Sequence, residues 1–102
     1  MDSKEHFFLK MYAGATATVP NPDIDEKNLQ LQHNDYWKSL VKRKIALVFG
    51  PVYDPDGAFA CSIVEVADKA AVETIINDDP LTGAGLDYRC DIFSMMVIAE
   101  RS

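Results

Sequence analysis

The chain has few of the residues that build disulfide frameworks and zinc sites. Its 102 residues include two cysteines, Cys61 and Cys90, and two histidines, His6 and His33. The cysteines form no CxxC pair, and the set does not have the spacing of a structural zinc site. We therefore expect no metal site and free, mostly buried thiols in a reducing compartment, with the cytoplasm as the location.

Long apolar runs and basic clusters are also scarce. The N-terminal stretch MDSKEHFFLKMY lacks the apolar core of a signal peptide, and no run approaches the roughly 18 apolar residues of a membrane span. The formal net charge is −6, whereas a nucleic-acid binder usually carries a basic stripe. The one basic cluster, residues 42–44, is typical of the last turn of a helix. We expect a protein that binds neither membranes nor nucleic acid.

Hydrophobic periodicity and turn residues predict four strands and two helices in one domain over residues 1–102. Apolar segments predict strands at residues 7–12, 45–51, 59–66 and 88–99. Helical spacing predicts helices over about 25–44, capped by Asp23 or Asp25, and over 67–78, capped by Asp68. The order β-α-β-β-α-β is that of the α+β, ferredoxin-like fold, in which a four-stranded antiparallel sheet carries helices on one face.

Both faces of the predicted sheet are apolar. In the second and the last strand, each alternating set of side chains is hydrophobic, as Val48 and Phe49 or Ile92 and Phe93 illustrate. The helices cover one face, and the second apolar face also needs a cover. A second copy of the same sheet, related by a two-fold axis, supplies it most simply. We therefore predict a homodimer with facing sheets.

One histidine falls in an unusual place. His33 lies in the apolar stripe of the first predicted helix, together with Leu29, Tyr36, Trp37 and Leu40. Burial disfavours a charged imidazole, whereas a nearby carboxylate favours it and orients the ring. The two effects together suit a general base that works near neutral pH. The alternative is a core histidine satisfied by a backbone carbonyl.

The stretch NDDPLTGAGL, residues 77–86, supplies candidate carboxylates. Asp79 precedes a proline, and the residue before proline avoids helical geometry, so Asp79 is expected to end the helix. It either does only that or also supplies a carboxylate for chemistry. Asp78 is expected to face solvent, although it could take its neighbour's place. The GxG at residues 83–85 follows a helix and lacks a third glycine, which favours a hinge or tight turn over a phosphate loop.

Three aromatic side chains and a methionine complete the candidate substrate site. Tyr36 and Trp37 flank the face of the histidine, and the hydroxyl of Tyr36 is a candidate donor to a ligand. Phe49 and Met96 are predicted to line the same cavity, because ligand sites combine apolar walls with a few polar groups. The alternative for all four is packing, in the core or at the dimer contact.

Three motifs, read in order, resemble those of a known family. They are HNDYWKSLVKRKIALVFGP at residues 33–51, DPDG at 54–57 and DPLTGAGL at 79–86. Together they resemble the YCII-related (YciI-like) family, which belongs to the dimeric α+β barrel superfamily. The resemblance implies a homodimer and an active site with a histidine from the first helix, here His33, and an aspartate from the Asp-Pro step, here Asp79. It also implies lyase or isomerase chemistry on small metabolites.

Two functions are expected from these residues. In the first, His33 acts as general acid or base on a small organic molecule, and Asp79 orients and electrostatically tunes it. The reaction would be an elimination, isomerisation or tautomerisation with no metal and no organic cofactor. In the second, the protein is a non-catalytic dimeric module that binds a small ligand or supports an assembly, and His33 is structural. A cofactor-free monooxygenase is a third possibility by fold analogy alone.

Overall fold

The computed structural model describes residues 4–14, 25–84 and 87–101. These residues form, in chain order, strand β1 (Glu5–Ala13), helix α1 (Glu26–Lys42), strands β2 (Ala46–Val52) and β3 (Phe59–Val66), helices α2 (Lys69–Asn77) and α3 (Pro80–Gly83), and strand β4 (Tyr88–Met95). The predicted α+β arrangement is confirmed. The sequence did not predict the short helix α3, which Asp79 caps and which ends at Gly83, the first residue of the predicted hinge or tight turn. Gly85 lies outside the described residues.

The four strands form one antiparallel sheet in the order β2-β3-β1-β4. In β1, Phe7, Leu9 and Met11 are buried while the residues between them are only partly buried, so the strand has one helix-covered face. The helices close this face over a core of ten buried residues: Phe7, Leu9, Met11, Trp37, Leu40, Ala46, Val64, Val66, Val72 and Ile75.

Helix α1 lays a stripe of three buried residues on the sheet, His33, Trp37 and Leu40. Its N-cap is Asp25, whose side chain accepts a hydrogen bond from the backbone N–H of Asn28 at 3.1 Å. Asp23, the other predicted cap, lies outside the described residues. None of the described helices combines the length and the apolar character that crossing a membrane requires.

Strand β2 contains a bulge that changes the alternation expected from its sequence. Ala46 pairs with Val64 and Phe49 pairs with Ser62, and the register shifts by one residue between Ala46 and Val48. Both partners are buried residues of the helix-covered face. The extra residue therefore brings Ala46 and Phe49 to the same face, although their odd spacing places them on opposite faces of a regular strand.

The last strand ends at Met95, so the predicted strand over residues 88–99 was too long. Met95 pairs with His6, one residue after the start of β1. Among the described residues, only Glu5 and Lys4 precede His6, so little backbone is left there for residues 96–99 to pair with. An apolar sequence alone does not make a strand without a neighbouring chain to bond.

The second face of the sheet carries a row of apolar side chains across all four strands. The cross-strand register aligns Val48, Ile63, Phe8 and Phe93. Val48 and Phe93 are each 50% exposed, and the rings of Phe8 and Phe93 contact each other at 6.1 Å between centroids. We name these four residues the open-face row.

Two leucines of α1 allow the contribution of the core to be measured. Leu40 is 1% exposed and Leu31 is 56% exposed on the same helix. We expect Leu40→Ala to lower the free energy of unfolding by about 2–5 kcal/mol, because it leaves a cavity. The matched Leu31→Ala should change it by less than about 0.5 kcal/mol. Urea unfolding followed by circular dichroism measures both, and equal losses would contradict the packing described here.

Candidate active site

Asp79 lies in the short connection between α2 and α3. Asp78 is the C-cap of α2 and is exposed, as the sequence predicted. The side chain of Asp79, the next residue, is buried. Asp79 has an extended backbone (φ −66°, ψ 130°), which suits the residue before Pro80. Its side chain caps α3 by accepting from the backbone N–H of Leu81 at 3.0 Å, and only 2% of it is exposed. The Asp-Pro step therefore delivers a carboxylate to the interior.

His33 and Asp79 form a buried pair, which we call the dyad. Nδ1 of His33 lies 2.8 Å from Oδ1 and 2.7 Å from Oδ2 of Asp79. The histidine is 1% exposed. Its ring is thus oriented by a carboxylate, and the alternative of a backbone carbonyl partner is not what the structure contains. The carboxylate comes from 46 residues further along the chain.

Trp37 supplies a second side-chain donor to the same carboxylate. Its Nε1–H donates to Oδ2 of Asp79 at 2.8 Å. His33 and Trp37 are four residues apart, so they project from neighbouring positions on one face of α1 and reach the same group. With the backbone N–H of Leu81, three donors converge on the two oxygens, an arrangement that satisfies a buried carboxylate.

The hydrogen bonds determine which ring nitrogen of His33 is available for chemistry. An ionised carboxylate only accepts, so Nδ1 carries a proton and Nε2 of the neutral ring carries a lone pair. Among the described residues, no group bonds to Nε2, and no fully buried side-chain nitrogen or oxygen lacks a partner. Nε2 thus accepts no hydrogen bond from the described residues, and the side chain as a whole is 1% exposed.

Aromatic rings surround the dyad. Phe49 and Tyr88 each meet the imidazole edge-on, with centroid distances of 5.3 and 5.6 Å. Phe49 also stacks on Trp37 at 5.2 Å with an interplanar angle of 9°. The bulge in β2 is what turns Phe49 to this side of the sheet. The walls around the histidine are thus apolar and close, so water has little access to the polar groups between them.

Burial raises the pKa values of three titratable groups around the dyad. Burial, together with the charges of Asp78 and Asp79, raises the pKa of Tyr36 to about 12. Burial likewise raises the pKa of Tyr88, with a smaller contribution from Asp79. Burial also raises the pKa of the Cys90 thiol to about 12, which removes it as a nucleophile near neutral pH.

The structure places the other predicted site residues differently. Tyr36 donates its hydroxyl proton to the backbone carbonyl of Ile75 at 2.6 Å. Phe49 contacts the dyad and also lines a groove of about 340 Å³ with Lys38, Val41, Leu47 and Val48. Met96 follows β4, is 81% exposed, and lines a separate groove. Contact of Tyr36, Trp37, Phe49 and Met96 with a substrate stays a prediction.

Sequence reasoning missed Tyr88 as a wall of the site and the indole of Trp37 as a donor. Tyr88 begins β4 and pairs with Ala13 of β1. Its alternation with Cys90 and Ile92 was readable and indicates the helix-covered face, but its contact with His33 depends on how α1 crosses the sheet. The spacing of His33 and Trp37 was a readable signal that both serve one partner.

The role of the indole donor can be separated from general packing. We expect Trp37→Phe to lower the free energy of unfolding by about 2–4 kcal/mol, because a bond to a charged group is lost and the smaller ring leaves space. It should also shift the imidazole N–H signal of His33 in ¹H–¹⁵N NMR, since Oδ2 loses its second donor.

The matched control removes a different hydrogen bond from the same helix. Tyr36→Phe deletes the bond to Ile75 and should lower stability by about 0.5–1.5 kcal/mol, with the His33 signal unchanged. If both variants move the His33 signal equally, Trp37 does not act through Asp79.

Comparison with known proteins agrees with this arrangement. A search of curated proteins finds no match. The family model of the YCII-related domain matches residues 11–95, which is most of the chain and includes both residues of the dyad. The chain belongs to the YCII-related domain family.

Proposed function

We propose that the protein transfers a proton to or from a small organic molecule at Nε2 of His33. The observation that carries the proposal is the buried pair in which both oxygens of Asp79 lie within 2.8 Å of Nδ1. A structural histidine needs one acceptor, whereas here a carboxylate orients the ring and leaves the opposite nitrogen unbonded among the described residues. This is the geometry of a positioned general base.

The chemistry follows from the protonation of the two groups. Nε2 accepts a proton from a carbon or oxygen of the substrate, and the resulting imidazolium is stabilised by the adjacent Asp79 carboxylate. The same Nε2–H then returns the proton at another position or to a leaving group. Elimination, isomerisation and tautomerisation all consist of such steps, and the groups already present supply both the base and the acid.

The surroundings indicate the kind of ligand. Phe49 and Tyr88 present aromatic rings beside the imidazole, so the walls suit an apolar or ring-shaped body. The proposed substrate class is therefore a small cyclic acid or lactone whose acidic C–H or leaving group reaches Nε2. The two free cysteines, one with a raised thiol pKa, fit packing in a reducing cytoplasm rather than a catalytic role.

The second candidate function is a non-catalytic ligand-binding module. The observation in its favour is that two grooves on the described surface, one beside Phe49 and one beside Met96, are lined by neither residue of the dyad. If ligands bind only there, His33 and Asp79 hold α1 to α3 and do no chemistry.

Proton transfer can be detected without knowing the natural substrate. A panel of small cyclic carboxylic acids and lactones is incubated with the protein in D₂O, and loss of C–H signals is followed by ¹H NMR. We expect at least one compound to exchange a C–H proton for deuterium only when the protein is present. His33→Gln and Asp79→Asn should each slow exchange, the former by about 10²–10⁴-fold, since that is the contribution of a general base.

The control for Asp79→Asn is Asp78→Asn, the same substitution at the exposed neighbour. This variant should exchange like the wild type. Circular dichroism checks that all three variants fold. Ligands that bind without any exchange favour the module, and exchange that survives in His33→Gln contradicts the proposed base.

We further propose that two chains pair through the open-face row. Its side chains span the whole sheet, and Phe93 leaves half of its surface in solvent. A continuous apolar patch of this kind is uncommon on monomers. A second copy offers an identical row, so a two-fold axis pairs apolar surface with apolar surface.

The dimer makes a simple prediction for size-exclusion chromatography with light scattering. The wild type should elute at twice the chain mass of 11.4 kDa. Phe93→Asp should shift it towards the monomer, because a charge would be buried without a partner. Leu31→Asp, at an exposed leucine of α1, is the matched control and should remain a dimer. A monomeric wild type would contradict the proposal.

A further inference from the structure

A histidine and two glutamates meet at one end of the open face, on the opposite side of the sheet from the dyad. They are His6, Glu65 and Glu100, and their ligand atoms all lie within 4.8 Å of one another. We infer that these three side chains form a binding site for a divalent transition-metal ion of the zinc type. His6 and Glu100 lie outside the matched residues 11–95, so family membership does not imply this site.

Two of the proposed ligands are held in place by the sheet. His6 of β1 and Glu65 of β3 are direct cross-strand partners, and such pairs project side by side from the same face. Nε2 of His6 already lies 2.9 Å from Oε2 of Glu65. Tetrahedral zinc with bonds of about 2.1 Å separates its ligand atoms by about 3.4 Å. A small side-chain adjustment therefore makes room for the ion between them.

The third ligand returns from beyond the last strand. Strand β4 ends at Met95 beside His6, and five residues later Glu100 comes back within reach of both partners. Glu100 is exposed, so its carboxylate can adjust to the ion. The ion would tie the segment after β4 to the two central strands of the sheet.

The chemistry of the donors decides the class of cation. One imidazole nitrogen with two carboxylates suits Zn²⁺ and its neighbours Co²⁺ and Ni²⁺, whereas Mg²⁺ and Ca²⁺ prefer oxygen alone. Binding replaces the His6–Glu65 hydrogen bond, with the imidazole proton on Nδ1 and the Nε2 lone pair on the metal. An adjoining groove of about 350 Å³, which His6 also lines, leaves space for a water as fourth ligand.

One nearby cation competes with the metal. Nζ of Lys4 lies 4.0 Å from Oε1 of Glu65, and the lysine side chain is 55% exposed. An exposed ion pair of this kind contributes little, so Lys4 can swing away when an ion binds. Removing its charge should strengthen metal binding.

The test is calorimetric titration of the full chain, without an affinity tag, with ZnCl₂. We expect one ion per chain. His6→Gln and Glu100→Gln should each weaken binding at least about tenfold, since even the loss of an outer-shell partner costs that much. Lys4→Gln should bind more tightly. Glu73→Gln, at an exposed glutamate of α2, is the matched control and should bind as the wild type does.

NMR distinguishes this site from the dyad, because the chain has only two histidines. Zinc should shift the imidazole signals of His6 and leave those of His33 unchanged, and EDTA should reverse the shift. Zinc that shifts only the His33 signals would overturn the inference. The inference would also be overturned if Glu100→Gln and Glu73→Gln bound zinc with equal affinity, or if the wild type did not bind one zinc ion per chain.

Discussion

A single buried carboxylate organises the helix-covered side of this molecule. Asp79 lies in the interior at 2% exposure and accepts from His33, Trp37 and the backbone N–H of Leu81. Withdrawing a carboxylate from water is costly unless its oxygens are bonded, and removing one member of such a pair typically costs about 3–5 kcal/mol. Helix α1 supplies two of these hydrogen-bond donors and α3 supplies the third, while rings from β2 and β4 pack around them. All of these features are consistent with the need to satisfy the buried carboxylate.

The same constraint shapes the chemistry. A carboxylate that bonds both oxygens to one imidazole nitrogen leaves the ring a single available nitrogen, Nε2. Trp37 donates a second side-chain hydrogen bond to Asp79, which restrains the carboxylate and thereby the ring of His33. A rigidly held carboxylate behind the imidazole keeps a general base oriented, and that orientation supplies much of its efficiency. Stability and the proposed activity thus depend on one set of hydrogen bonds.

The two faces of the sheet serve separate purposes. The helix-covered face holds the dyad, with Phe49 and Tyr88 around it. The opposite face carries the open-face row. The proposed metal site lies beside the middle of that row, since His6 and Glu65 are two residues along β1 and β3 from Phe8 and Ile63. Strand alternation separates the two sets, since neighbouring residues point to opposite faces. A change on one face can therefore be studied with little direct effect on the other.

The sequence by itself determined the order of the strands and the two longer helices, the cap Asp68 and the exposed position of Asp78, and it left Asp23 or Asp25 as the cap of the first helix. These follow from local rules: periodicity, capping, and the geometry before proline. Periodicity also placed His33 in an apolar stripe, whereas its pairing with Asp79 was an expectation from the resemblance to the YCII-related family. Only the tertiary structure decided that His33 contacts Asp79, that a bulge turns Phe49 inward, that β4 ends at Met95 beside His6, and that Tyr88 and Trp37 complete the site. It likewise brought His6, Glu65 and Glu100 together. Each of these contacts joins residues far apart in the chain or depends on strand register, which no local pattern encodes.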